Sequence, residues 1–223
     1  VMPMDTTTFT RSLLPRPNLT AGRSVFTYSG EVTGTPNGNA PNLLASSYTI
    51  AAEVEVPEGG GEGMLVTQGG RFAGYGFYLL DGKPVDVWNL FGMQRIKWEG
   101  EKALSPGRHL LEFDFAYDGL GAETLKYGSP SGLGRSGTGT LKVDGKVVAT
   151  RKMDKTIPML LQWCESFDVG ADTGSPVNDE DYRTPFRFNG ELHKLTLTID
   201  RPELSPEDIK TLKMAIHNNP ASD

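Results

Sequence analysis

Short runs of β-branched, aromatic and alternating apolar residues, broken by Gly, Pro, Asn and Asp, recur through most of the chain. The pattern predicts strands at Val25–Tyr28, Tyr48–Val56, Met64–Gln68, Tyr75–Leu80, Pro84–Phe91, Gln94–Trp98, His109–Tyr117, Thr140–Val143, Lys146–Arg151 and, in two pieces, Phe186–Ile199. One helix is predicted, at 205–217 in "SPEDIKTLKMAIHNNP". There Ser205 can cap, Pro206 suits the first turn, and Glu207 and Asp208 suit the positive helix end. Ile209, Leu212 and Ile216 share a face, which is expected to dock on the sheets. About ten strands with no helices between them read as an all-β antiparallel sandwich.

Residues 69–89, "GGRFAGYGFYLLDGKPVDVWN", carry the clearest hairpin signal. Asp81-Gly82 suits a two-residue type I′ loop, because both central residues need positive φ. Pairing outward from that loop sets Tyr75 opposite Trp88, Phe77 opposite Asp86 and Leu79 opposite Pro84 on one face. The other face sets Tyr78 opposite Val85, Gly76 opposite Val87 and Gly74 opposite Asn89. The second face is expected to be the core, since its glycines leave room for an opposing sheet. The first face, with aromatic rings around Asp86, either stacks on a sugar or lies under a loop or a neighbouring domain. A second Asp-Gly turn, Asp144-Gly145, joins "TLKV" to "KVVAT".

Composition narrows the functional classes. With 223 residues and a net charge of −6, the chain lacks the basic stripe of a nucleic-acid binder. No apolar run approaches the length of a membrane span. Glycine (27) and proline (15) suit many turns, and no linker or repeat divides the sequence. We therefore expect one domain over 1–223, with an extended leading segment at 1–24 and a mobile loop at 118–139. Cys164 is the sole cysteine, so it is expected to pack as a small apolar residue. The chain begins at Val1 without a signal-peptide pattern and is expected to be a segment of something longer.

Candidate chemistry is sparse. "GLGRSG" at 132–137 spells a dinucleotide motif but lacks the strand before it and the helix after it. The acidic loop "FDVGADTGSPVNDEDY" offers Asp168, Asp172, Asn178, Asp179 and Asp181 as oxygen ligands for Ca²⁺, or as caps for backbone amides. His109, His193 and His217 lack zinc-ligand spacing. No nucleophile elbow occurs, and no pair of glycosidase carboxylates stands out. Asn18-Leu19-Thr20 is a glycosylation sequon.

"QGGRFAGYGFYLLDGKPVDVWN" and "ESFDVGADTGSPVNDEDYRTPFRFNGELHKLTLTI" resemble the C-terminal region of long bacterial arylsulfatases, and "SPGRHLLEFDF" and "GTGTLKVDGKVVA" follow in that family's order. The resemblance implies a concanavalin-like, laminin G-like jelly roll attached to a sulfatase catalytic domain, in a periplasmic or secreted bacterial protein. That family's nucleophile stands in C/S-x-P-x-R. The nearest stretch here, "RTPFR", puts Arg183 in its place, so no catalytic residue is carried over. Loop 118–139 and "MLLQWCE" depart from the family pattern. The expectation is a non-catalytic accessory domain without a cofactor of its own, partnered by the sulfatase domain. The alternative is a stand-alone carbohydrate-binding module for sulfated or neutral glycans, using Arg71, Tyr75, Asp86, Trp88, Arg95 and Trp98, with the guanidinium groups of Arg71 or Arg95 suited to sulfate oxygens. A lectin-like glycosidase is the third reading.

Overall fold

Asp81 and Gly82 have φ of +50° and +76°, and Asp144 and Gly145 repeat those values, so both Asp-Gly turns take the left-handed pair of conformations that a tight hairpin needs. In this computed structural model, residues 19–127, 132–158 and 165–217 are described. The first hairpin joins Ala73–Leu80 to Lys83–Leu90 in the expected register, Tyr75 opposite Trp88 and Phe77 opposite Asp86.

Numbered along the chain, the strands are β1 Val25–Tyr28, β2 Val32–Pro36, β3 Ser47–Val56, β4 Gly63–Gly70, β5 Ala73–Leu80, β6 Lys83–Leu90 and β7 Gln94–Glu99. They continue as β8 Gly107–Tyr117, β9 Gly137–Val143, β10 Lys146–Met153, β11 Ser166–Val169, β12 Ala171–Asp172, β13 Phe186–Arg187 and β14 Glu191–Asp200, followed by helix α1, Pro206–His217. Every strand predicted from the pattern is present. The short β2, β11 and β12 were not predicted, because "VTGTP", "SFDV" and "AD" show too little alternation to read.

Two sheets form the expected antiparallel sandwich. One runs β1-β14-β3-β8-β9-β10. The other runs β12-β13-β4-β5-β6-β7, with β11 pairing both β2 and β4. Ile50, Val54, Leu111, Phe113 and Leu197 of the first sheet meet Tyr75, Phe77, Leu79, Trp88 and Trp98 of the second in one buried cluster. The opposite surface of the first sheet is polar, with Lys142 2.5 Å from Asp114 and Lys194 3.6 Å from Glu53.

The hairpin faces are the reverse of the sequence expectation. Tyr75, Phe77 and Trp88 point into the main core between the sheets, while Tyr78, Val85 and Val87 point outward under a second apolar layer. That layer is the segment after β12, whose Val177 and Tyr182 pack on them together with Met64 and the partly buried Phe186. The large rings fit inside because the facing sheet supplies a gap. A Cβ on Gly139 would stand 2.6 Å from the Trp98 indole and 2.7 Å from Phe113. The Trp98 and Phe113 rings meet edge-on at 5.0 Å between centroids.

Ser205 caps α1 as expected, its Oγ accepting the Asp208 amide at 3.0 Å. The helix docks elsewhere than on the sheets. Asp208 Oδ1 accepts the Ala122 amide at 2.9 Å, tying the helix to a 3₁₀ turn at Ala122–Tyr127. The loop expected to be mobile is thereby partly anchored, and Leu212 is buried while Ile209 stays partly exposed. Most of the leading segment, Asn18, Cys164 and the Ile216 side chain lie outside what is described. Among the described residues, no helix is long and apolar enough to cross a membrane.

Gly139→Ala is expected to destabilise the protein by about 1–3 kcal/mol, because its methyl has no space beneath Trp98. Urea denaturation of the variant against the parent measures this.

Candidate functional site

Strands β4 and β6 run toward the same end of their sheet, so the turn at 71–72 and the turn at 91–93 stand side by side there. Asn89, fully buried at the end of β6, joins them. Its Nδ2 donates to the carbonyls of Gly70 (3.1 Å), Arg71 (2.8 Å) and Val177 (3.0 Å), and its Oδ1 accepts the Gly92 amide at 2.9 Å. The Arg71 amide donates to Ser175 Oγ at 3.1 Å. These bonds hold both turns rigidly against the loop between β12 and β13.

The turns display apolar side chains to solvent. Phe72 is 62% exposed, Phe91 48% and Met93 83%. Phe91 has φ +55°, a left-handed conformation that costs a bulky residue about 1–3 kcal/mol. A residue that smooth folding would replace with glycine here keeps an aromatic ring at the surface.

Beside the rings are two of the expected site residues. Arg95 Nη2 lies 2.5 Å from Asp179 Oδ1 and Nη1 3.6 Å from Glu180 Oε1. Arg71 Nε lies 3.9 Å from the other oxygen of Asp179, and its side chain is 65% exposed. Sequence reasoning named Arg71, Arg95 and Asp179 separately, and the structure brings them together.

The other four candidate ligand-binding residues are inside. Tyr75, Asp86, Trp88 and Trp98 are all buried between the sheets, so no ring among them can stack on a sugar. Trp88 Nε1 donates to Tyr48 Oη at 2.8 Å, and Trp98 Nε1 to the Arg151 carbonyl at 3.2 Å. The cavity bordered by Trp88 measures about 10 Å³, far below the size of a sugar ring. Asp86 is fully buried with no hydrogen-bond partner for either oxygen among the described residues. Burial holds its carboxyl well above the usual carboxylate range.

The acidic loop binds its own chain. Asp168 accepts from the Gly34 amide (2.8 Å), Ser166 Oγ (2.7 Å), the Thr173 amide (3.0 Å) and Thr173 Oγ1 (2.6 Å). Asp172 accepts from the Gly174 amide (3.1 Å) and Tyr182 Oη (2.6 Å). Asn178 Oδ1 accepts the Glu180 amide at 3.3 Å, and Asp181 holds the Tyr78 hydroxyl and Lys97 Nζ, the latter at 3.1 Å. The expected Ca²⁺ ligands are therefore not gathered round a point: their lone pairs face amides, hydroxyls and cations. Among the described residues, no group of three or more His, Cys, Asp or Glu side chains could hold a metal ion. Arg183 donates to the Asp179 and Tyr182 carbonyls, closing the same loop.

Burial raises the Asp172 carboxyl to about 6; the Tyr182 hydroxyl and the Gly174 amide oppose that, and nearby Asp168 and Glu165 add to it. Elsewhere, a cleft of about 620 Å³ opens beside His109, whose ring is held by Asp144 (2.8 Å) and the Ser105 carbonyl (2.9 Å). His193 is turned onto Glu191 at 3.1 Å.

Phe72, Phe91, Met93 and Asn89 escaped sequence reasoning. For Phe72, Phe91 and Met93 the available signal was large apolar residues at turn positions, where polar residues and glycine are usual; Asn89, inside a strand, gave none.

No protein-family model matches this chain, and no curated protein matches it. Solved structures do align with much of it. The Ruminococcus gnavus IT-sialidase CBM40 aligns over 85% of this chain and 97% of its own, at 14% identity and a TM-score of 0.47. The leech intramolecular trans-sialidase aligns over 84% of this chain and 27% of its own, at 12% identity and 0.45. The LG1-3 region of the laminin alpha2 chain aligns over 79% and 29%, at 11% and 0.40. These are likenesses of fold alone, and they carry no residue or ligand over to this chain. None concerns a sulfatase.

Two titrations follow. A carboxyl ¹³C NMR titration of Asp172 is expected to show a midpoint near 6, moving if Tyr182 is replaced by Phe. Asp86 keeps a proton in the fold that the unfolded chain loses near pH 4, so the unfolded state binds fewer protons above that pH and stability falls as pH rises. Asp86→Asn is expected to flatten this fall in urea denaturations run from pH 4 to pH 8, because a neutral amide has no proton to lose.

Proposed function

We propose that this domain is a non-catalytic carbohydrate-binding module that grips a glycan at the paired turns of 71–72 and 91–93. The observation that carries the reading is the display of Phe72 and Phe91 at the surface on turns that buried Asn89 locks together. Exposed aromatic rings on a rigid scaffold are a liability to solubility unless they bind something. Their faces match the C–H faces of pyranose rings, and turns fixed in advance lose little entropy on binding. The left-handed Phe91 adds weight: strain retained at a surface ring is compatible with selection for binding over stability.

Met93 supports a second reading. A thioether 83% exposed offers no stacking plane but adapts well to protein surfaces. On that reading the same end of the sandwich packs against a sulfatase catalytic domain, as the sequence resemblance implies.

Glycan-array screening followed by calorimetry on the best neutral oligosaccharide tests the first reading. Phe72→Ala is expected to weaken binding at least tenfold, about 1.4 kcal/mol. Phe91→Gly is expected to weaken it similarly while keeping or raising the melting temperature, since glycine relieves the left-handed strain. Unchanged affinity in both variants, or Met93→Glu alone abolishing capture of a sulfatase domain, would turn the assignment to the second reading.

A further inference from the structure

We infer that the paired-turn site selects saccharides bearing a carboxylate or a sulfate ester, and that Asp179 is an internal substitute for that anion which the ligand displaces. The inference rests on the glycan-binding reading above. It adds the chemical class of the ligand and a residue that controls selectivity.

Two guanidinium groups share one carboxylate here. Arg95 holds Asp179 closely, at 2.5 Å, whereas Arg71 approaches it only through Nε, at 3.9 Å. Among the described residues, the terminal nitrogens of Arg71 have no acceptor, and the buried Nε of Arg95 has none either. The second carboxylate, Glu180, stands 3.6 Å from Arg95 with its side chain 80% exposed. The two arginines are thus matched in charge by carboxylates that water also reaches, and Arg71 is held only loosely. An oxyanion entering beside Phe72, a carboxylate or a sulfate ester, would meet a fork able to hold two of its oxygens at once.

Asp179 is placed to yield. Its carboxylate is 34% exposed, so its attraction to the arginines is screened by water and exchangeable. Its backbone, in contrast, is fixed. Asn178 accepts the Asp181 and Tyr182 amides on its carbonyl and the Glu180 amide on its side chain, and Arg183 holds the Asp179 carbonyl. Only the side chain has to rotate for an external anion to replace it.

Calorimetry with three probes of equal length tests the inference: a neutral galactan oligosaccharide, its O-sulfated derivative and an oligogalacturonate. The parent protein is expected to bind at least one anionic probe several-fold more tightly than the neutral one, with the difference shrinking as salt rises. Asp179→Asn is expected to widen that preference several-fold, and Arg71→Met to reduce it to near unity, with both variants melting within a few degrees of the parent. Preference for the sulfated probe identifies a sulfate ester, and preference for the oligogalacturonate identifies a uronic acid; either supports the inference. Binding of all three probes with equal affinity, lost in Phe72→Ala, overturns the anion selectivity and leaves the glycan reading standing. No binding of any probe, with Phe72→Ala identical to the parent, overturns both.

Discussion

The central strands β4, β5 and β6 have two apolar faces, and a two-layer sandwich can bury only one of them. Tyr75, Phe77 and Leu79 fill the space between the sheets, which leaves Tyr78, Val85 and Val87 on the outside. Bare, that second face would be an extended hydrophobic surface. The chain covers it by carrying the segment after β12 across the sheet and setting Val177 and Tyr182 on it. Stacking of Tyr182 on Phe186, at 4.6 Å between centroids, makes this cover a small core of its own.

A cover built from loop needs its polar groups satisfied, and the acidic residues serve that need. Asp168 alone takes four donors from three segments, joining β2, β11 and the start of the loop. Asp172 and Tyr182 bridge the loop across its own width, and Tyr78 reaches through from the sheet to Asp181. The density of Asp and Asn in this stretch therefore reflects backbone satisfaction. That is a sufficient reason for a composition which, as a string of letters, also suits a metal loop.

The same cover creates the candidate site. Having been drawn over the sheet to bury Val177 and Tyr182, the loop arrives at the end of β4 and β6, where its Val177 carbonyl accepts from Asn89 and its Asp179 meets Arg71 and Arg95. Rigidity at the paired turns is a by-product of the second apolar layer. So is the carboxylate beside the arginines. The apolar packing that stabilises this half of the molecule and the polar arrangement at its end share one segment of chain.

Local rules made much of this legible in advance. Asp-Gly pairs have few ways to turn, so both hairpins and the register of β5 with β6 followed from the letters, and Ser205 with Asp208 marked the helix start. Arg71, Arg95 and the acidic loop were recognisable as unusual. Alternation, however, states only that side chains point to opposite faces. It does not say which face meets the other sheet, because that depends on residues far along the chain, such as Gly139 opening space for Trp98. Nor could it show that Phe72 and Phe91, 19 positions apart, stand together, or that Asp179 reaches both arginines. Those meetings arise from strand pairing and from the path of the covering loop, and only the folded chain decides them.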